Sequence, residues 1–371
     1  MKFKEASGKL ENIRIYNSKN RTFTNGSIVW EEGIITQIIP GGDGNEGTLI
    51  PGYIDVHTHG RAGIDFDSAT CAEVLEVCKA YASCGVTSLV PTIASAPLEQ
   101  MMQAVREIKK AAATPHEGAD IPAIHLEGRW LNLKKRGAHA PNLIAPLSIE
   151  ELEAFVAEIY PLVPYITLAA EMDGGDEFVK RALELGAVLS LGHTEAGYDE
   201  ALRLFNLGIS SVTHLYNAMT GLHHRDPGCV GAALFSDVYT ELICDGFHIH
   251  PRMIKFTVDN KDRDRIVLIT DSMMGAGCPD GDYFIAGLPV RVVGGHAVGE
   301  DGTICGSTLD MHTSLMNVSD FTGLPLEACV PFVTENPARL LGLDRGSFHV
   351  GARADFVLLD DAKKIKQVNI A

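Results

Sequence analysis

Between about residue 50 and residue 275 the chain alternates short, β-rich apolar runs with longer stretches whose apolar residues recur at helical spacing. The runs are LIPGYIDVH, VTSLVPTIA, IPAIHLE, YITLAAEM, AVLSLGH, SSVTHLY, TELICDGFH and RIVLITD, eight in all. The stretches between them include CAEVLEVCKAYASCG, LEQMMQAVREIKKAAA, SIEELEAFVAEIYPLV, DEFVKRALELG and YDEALRLFNLG, several closed by a helix-stopping glycine. Eight strands alternating with helices predict an α/β fold of the (β/α)8 TIM type, a unit of about 250 residues. A doubly wound open sheet is the competing arrangement. It is disfavoured because no G-x-G-x-x-G follows the first run.

The flanks read differently. Residues 9–50 hold short strand-like pieces and turn signals but no long helix, and SFHVGARADFVLLD at 347–360 has the same character. Residues 1–50 plus 345–371 are therefore expected to form one small, β-sandwich-like domain beside a barrel spanning 51–344. Residues 283–304 read as hairpins, either inserted after the eighth strand or belonging to that domain. A chain of 371 residues accommodates both parts.

Composition narrows the function classes. Acidic residues outnumber basic ones 48 to 31, a formal charge of −17, which argues against a nucleic-acid partner. A small anionic substrate needs only a local positive pocket and stays compatible with that charge. The opening MKFKEASGKLENIRIYN lacks the apolar core of a signal peptide, so neither a leader nor a membrane span is expected. The eight cysteines form no C-x-x-C pair and read as small buried apolar residues in a reduced, cytoplasmic protein.

The first run climbs into PGYIDVHTHG. Residues i and i+2 of a strand face one side, so His57 and His59 can address one site, although H-x-H alone equally suits a structural strand end. Four further polar residues stand at the C-terminal ends of other runs: Glu127, His193, His214 and Asp271. In a barrel those ends converge on the face where active sites of this fold are built. Imidazole nitrogen and carboxylate oxygen suit zinc or a similar divalent ion with a position open to water, which the ion acidifies. Asp271 is the candidate for taking that water's proton and returning it to a leaving group.

In order along the chain, PGYIDVHTHG, HLEG with KKRGAHAP, GHT, THLYNAM, RDPG, CDGFHIHP, TDSM, GSTLDM, ENPARLLGL and GARADFVLLD resemble the amidohydrolase superfamily. Within it they are similar to the branch that deacetylates N-acetyl amino-sugar 6-phosphates, and the resemblance runs over nearly the whole chain. It implies that Glu127, His193 and His214 bind the principal metal and that Asp271 acts as general base and then acid. It also implies that Ala138, His139, Asn217, Ala218, Arg225, Asp245, Gly246, Phe247, His248, Gly306 and Ser307 contact the amino-sugar phosphate. Retention of H-x-H implies one or two divalent ions per chain, with Glu127 bridging them. Zinc is the first expectation, with iron, manganese or cobalt open. The superfamily's carboxylated lysine is not evident, since Glu127 fills that early-strand role.

The implied reaction is hydrolysis of the N-acetyl group of N-acetylglucosamine 6-phosphate to glucosamine 6-phosphate and acetate. The implied assembly is a homodimer in which Arg225, whose guanidinium suits a phosphate, reaches the neighbour's pocket. N-acetylgalactosamine 6-phosphate, a cyclic amide such as dihydroorotate or a hydantoin, and a catalytically silent sugar-phosphate binder stay open as alternatives; the intact Asp271 speaks against the last. His223, His224 and His250 match no such role and read as structural. One departure stands out: where the branch usually continues HLEG with proline and an aromatic, this chain places Arg129 and Trp130 after Gly128.

Overall fold

Each apolar run becomes a strand, and the eight strands lie parallel in one sheet. This emerges from a computed structural model that describes residues 3–371. In chain order the strands are β1 (Tyr53–Thr58), β2 (Val86–Ala94), β3 (Ala123–Glu127), β4 (Val163–Leu168), β5 (Val188–Leu191), β6 (Ser211–Val212), β7 (Tyr239–Ile243) and β8 (Ile266–Ile269). They pair in that order. The barrel nearly closes where the Asp271 N–H donates to the His57 carbonyl at 2.9 Å and Thr270 Oγ1 donates to Asp55 Oδ2 at 2.6 Å. Parallel strands covered on both faces must be apolar almost throughout, which is why every residue of β1 and β2 is buried.

A helix follows each strand: α1 (Cys71–Ala82), α2 (Leu98–Ala112), α3 (Ile149–Ile159), α4 (Gly175–Glu184), α5 (Tyr198–Leu207), α6 (Gly228–Phe235), α7 (Pro251–Asn260) and α8 (Met311–Thr322). Their starts are written locally. Thr70 and Glu73 form a reciprocal capping box on α1, Ser148 caps α3, and Asp310 caps α8. Along α2, Met101, Ala104, Val105, Ile108 and Ala111 form the buried stripe that packs on the sheet. A second apolar cluster plugs the barrel, where Ala338, Leu340 and Leu341 of the helix Glu335–Leu341 meet Ile54, Val56, Val90 and Val267.

The two ends of the chain meet in a mixed six-stranded sheet. Its order is Ile365–Asn369, Phe356–Leu359, Thr48–Pro51, Gly8–Asn17, Thr22–Glu31, Ile34–Pro40. It has its own core, in which Trp30 and Phe356 meet edge to face with centroids 5.2 Å apart. The hairpins after β8 form a separate three-stranded antiparallel sheet, Gly281–Ile285, Leu288–Val293 and His296–Gly299. Phe247, on the loop after β7, stacks on His296 of this sheet at 4.1 Å. Among the described residues no helix is long and apolar enough to cross a membrane, and all eight cysteines are free thiols.

Candidate metal centre and active site

Strand register brings the polar residues to one level. Glu127, the last residue of β3, lies abreast of Ala94 on β2 and Thr167 on β4. His57 lies within β1 and His59 one residue beyond its end, while His193, His214 and Asp271 each stand two residues past the ends of β5, β6 and β8. Those last three take left-handed backbone angles, φ +48°, +28° and +47°. Non-glycine residues hold such angles at about 1–3 kcal/mol each, and they concentrate where function fixes a side chain. Here the bend turns the chain out of the barrel while the side chain stays over its mouth. Beside Glu127 the strands crowd: a Cβ on Gly128 would lie 2.5 Å from the Ser95 nitrogen, so only glycine fits.

Glu127 divides the centre into two halves. Its Oε1 faces His214 Nε2 at 3.0 Å and His193 Nε2 at 3.3 Å. Its Oε2 faces His59 Nε2 at 3.0 Å and His57 Nε2 at 3.4 Å. Asp271 Oδ1 stands 3.4 Å from His59 Nε2 and 3.6 Å from His57 Nε2. Two sets of residues have donor atoms close enough to share an ion, His57–His59–Glu127 and Glu127–His139–His193.

The tautomers say what these atoms need. His57 Nδ1 donates to Glu241 Oε2 at 3.1 Å, and His193 Nδ1 donates to the Lys135 carbonyl at 2.8 Å. Each Nε2 lone pair therefore points at a carboxylate oxygen, and His57 Nε2 is wholly buried without a hydrogen-bond partner. Only a positive charge between them, a proton or a metal ion, reconciles such an arrangement. A borderline-soft divalent cation fits this nitrogen and oxygen set.

The electrostatics agree. Burial opposes charge on His59, but Asp271 and Glu127 outweigh it and raise the imidazole to about 10. His57 is raised well above the usual value against the same burial, by Glu127 and Asp271. Burial would lift the two carboxyls, yet His57 and its neighbours hold Glu127 well below the ordinary range and Asp271 at about 2. His139 moves the other way: burial and the charge near His193 depress it to about 3. It stays neutral, and because its Nδ1 accepts from the Ser95 N–H at 3.3 Å, its Nε2 carries a proton toward the cavity.

That cavity, about 270 Å³, opens at the C-terminal face of the barrel. Of the residues read from the sequence, His59, Glu127, Ala138, His139, His193, His214, Asn217, Ala218, His248, Asp271 and Gly306 line it, and His57 lies directly behind. The others stand outside. Asp245 accepts from His248 Nδ1 at 2.6 Å and so holds that ring; Gly246 packs against Phe321; Phe247 stacks on the hairpin sheet; Ser307 is buried, donating to the Thr270 carbonyl. Arg225 is exposed on a loop, with its guanidinium on His224.

Sequence reasoning missed several participants. Lys134 and Lys135 are the lysines of the cavity wall, and Ile285, Ala286, Thr303 and Ile304 roof it from the hairpin region. Glu241, in the middle of β7, gathers His57 Nδ1, the His214 N–H at 3.2 Å and the Tyr165 hydroxyl at 2.6 Å. A carboxylate inside an otherwise apolar run was the one available signal for it.

Comparison with known proteins accords with this geometry. Residues 48–371 match the Amidohydrolase family. The N-acetylgalactosamine-6-phosphate deacetylase of Escherichia coli O157:H7 is 35% identical over 325 residues, 86% of this chain and 85% of that one. The N-acetylglucosamine-6-phosphate deacetylase of Bacillus subtilis (strain 168) is 36% identical over 320 residues, 85% and 81% of the two chains. Among solved structures, a mutant N-acetyl-D-glucosamine-6-phosphate deacetylase from Mycobacterium smegmatis, in complex with N-acetyl-D-glucosamine-6-phosphate, superposes with a TM-score of 0.92 at 29% identity, covering 98% of each chain. With a family match across most of its length and a barrel carrying a histidine–carboxylate centre at its mouth, this chain belongs to the amidohydrolase family.

Proposed function

We propose that this protein hydrolyses the N-acetyl group of N-acetylglucosamine 6-phosphate, giving glucosamine 6-phosphate and acetate. The observation that carries the reading is the convergence of Glu127, four imidazoles and Asp271 on one cavity, in a chain 35–36% identical to amino-sugar-phosphate deacetylases. His193, His214 and one oxygen of Glu127 would hold one divalent ion; His57, His59 and the other oxygen would hold a second. Zinc suits this donor set. Such ions, when bound, acidify water and polarise the amide carbonyl.

The chain's own residues do the rest. Asp271, ionised above about pH 2, takes the proton of the attacking water as its oxygen bonds to the carbonyl carbon. It then passes that proton to the amide nitrogen as the C–N bond breaks, so the amine leaves neutral and the acetyl group leaves as acetic acid, which ionises to acetate by giving its proton to solvent. His139 offers its Nε2–H to substrate oxygen. Lys135 brings positive charge to the wall for the phosphate, Lys134 being paired with Glu195 at 2.9 Å, and the exposed Arg225 would complete that subsite from a partner in a homodimer. Eight unpaired thiols suit a reducing compartment such as the cytoplasm.

The test is release of free amine from N-acetylglucosamine 6-phosphate, the galactosamine epimer and unphosphorylated N-acetylglucosamine, each with and without chelator. Chelator-sensitive turnover that needs the phosphate supports the reading. Turnover of the unphosphorylated sugar at equal efficiency, or none with either phosphate, overturns it. The E. coli relative favours the epimer as a second substrate, and the ratio of the two kcat/KM values decides between them.

A further inference from the structure

The loop from β3 to α3 brings Lys135, Ala138 and His139 to the cavity, and Arg129 stands at its start. Arg129 has φ +65°, an angle proline cannot adopt. Its N–H donates to Ser95 Oγ at 3.0 Å, and its carbonyl accepts from the Ala145 N–H at 2.7 Å, closing the neck of the loop. Its guanidinium forks onto Glu151, Nε to Oε2 at 3.0 Å and Nη2 to Oε1 at 2.8 Å. Both side chains are largely shielded, at 15% and 20% exposure. Glu151 is the third residue of α3, where a carboxylate would ordinarily turn back onto the Ser148 cap; here it is diverted to Arg129.

We infer that the Arg129–Glu151 pair is a positioning device for the metal centre, clamping the neck of this loop so that its far side presents two groups in register. One is the Lys135 carbonyl, which keeps the proton of His193 on Nδ1 and frees Nε2 for the ion. The other is His139, whose ring is held through Ser95: the Ser95 hydroxyl takes the Arg129 N–H while the Ser95 N–H is given to His139 Nδ1. A bidentate, half-dry pair resists the rotation that would let either group drift. The inference rests on His193 as a metal ligand but not on which acylated sugar is cleaved.

The test uses the metal-loaded protein and the variants Arg129→Met, Glu151→Gln, their double, and Arg129→Lys. Three quantities are read: the rate of ion loss to a chelator, tryptic cleavage at Lys134, Lys135 and Arg136, and kcat with KM. Each single change should speed ion loss about three- to tenfold and open the loop to trypsin, with the double no worse than either single. Lysine should recover only part of the effect, since it cannot fork onto both oxygens. If Arg129→Met fails to fold, the near-isosteric Glu151→Gln and the lysine variant carry the same test. Variants that lose thermal stability yet keep wild-type ion loss and cleavage overturn the inference, as does strict additivity in the double. Wild-type protein that holds no ion at His193 refutes the ligand reading instead.

Discussion

Replacing Glu241 with glutamine and then leucine should loosen the ion at His57 and His59 in two graded steps. Glu241 is wholly buried, and its hydrogen bond keeps the His57 proton on Nδ1, leaving Nε2 as a lone pair. In the glutamine variant the amide oxygen can retain His57 and the His214 N–H while the NH2 faces Tyr165. The Tyr165 hydroxyl then turns wholly to Ser211 Oγ, 3.2 Å away. What is lost is charge: a charge-assisted bond of about 1.5–3 kcal/mol falls to roughly half, a loss near 1 kcal/mol or about fivefold in affinity. Leucine removes every acceptor. The proton can then move to Nε2, where Glu127 Oε2 at 3.4 Å and Asp271 Oδ1 at 3.6 Å hold it, and the ion must displace it. That internal bond is worth about 1.5–3 kcal/mol, or roughly 10- to 100-fold, the range seen when a metal-bound histidine loses its outer partner. Competition against a chromogenic chelator, with elemental analysis of the equilibrated protein, measures both steps. The weaker ion should fall in the order wild type, glutamine, leucine while the stronger is retained. Unchanged affinity in the leucine variant, or equal loss of both ions, would refute the orienting argument.

Three further outcomes are expected. Asp271→Asn should keep the ion at His193 and His214 but lose about 10²–10⁴ in kcat, and near-normal turnover would remove Asp271 from the proton path. Asp55 is fully buried, and burial raises its carboxyl from 3.8 to about 7 despite its hydrogen bonds from Thr270 and His57. Since the unfolded chain ionises first, the stability this group contributes is complete below pH 3.8 and is lost as pH rises through 7, about 4 kcal/mol in full. Asp55→Asn should therefore gain in Tm over wild type between about pH 5 and about pH 8, and parallel Tm–pH curves would contradict this. Gly128→Ala would place a Cβ 2.5 Å from the Ser95 nitrogen and 2.8 Å from the Ala94 carbonyl carbon, backbone that cannot easily yield. The end of β3 should shift and take Glu127 with it, lowering bound metal and destabilising by about 1–3 kcal/mol; normal metal content and Tm would show that the strands can part.

The barrel was legible because parallel strands covered on both faces leave a pattern that local reading catches, an apolar run ending in one polar residue. His193, His214 and Asp271 were found by that position, and the same logic found Glu127. Glu241 escaped because it lies mid-strand, and only register across the barrel shows that it meets His57 and Tyr165. The Lys135 carbonyl and Ser95 were hidden for a different reason: they act through backbone atoms, which every residue type possesses. Arg129 could be seen as a departure, but its partner Glu151 lies on another element, and no spacing rule connects them. Arg225 shows the opposite limit. Its motif follows closely on Asn217 and Ala218, which line the cavity, yet the loop turns away to the surface, and nearness in sequence does not say where an exposed loop goes.

The sheet made from both ends of the chain bears on how the protein is synthesised. Thr48–Pro51 pairs with Gly8–Asn17 on one side and with Phe356–Leu359 on the other, so its second neighbour is made roughly 300 residues later. At about 5–20 residues per second the ribosome needs on the order of 15–60 s to deliver it. Through that interval Ile13, Ile15, Ile28 and Trp30 lack the Ala354, Phe356 and Leu358 that cover them in the finished protein, beside an unpaired strand edge. The barrel's eight strands emerge in spatial order and can assemble as they appear, but this sheet must wait. Nascent chains should consequently draw on holdase chaperones chiefly through their first 50 residues, and loss of residues 356–371 should cause aggregation through that edge without removing any residue of the metal centre.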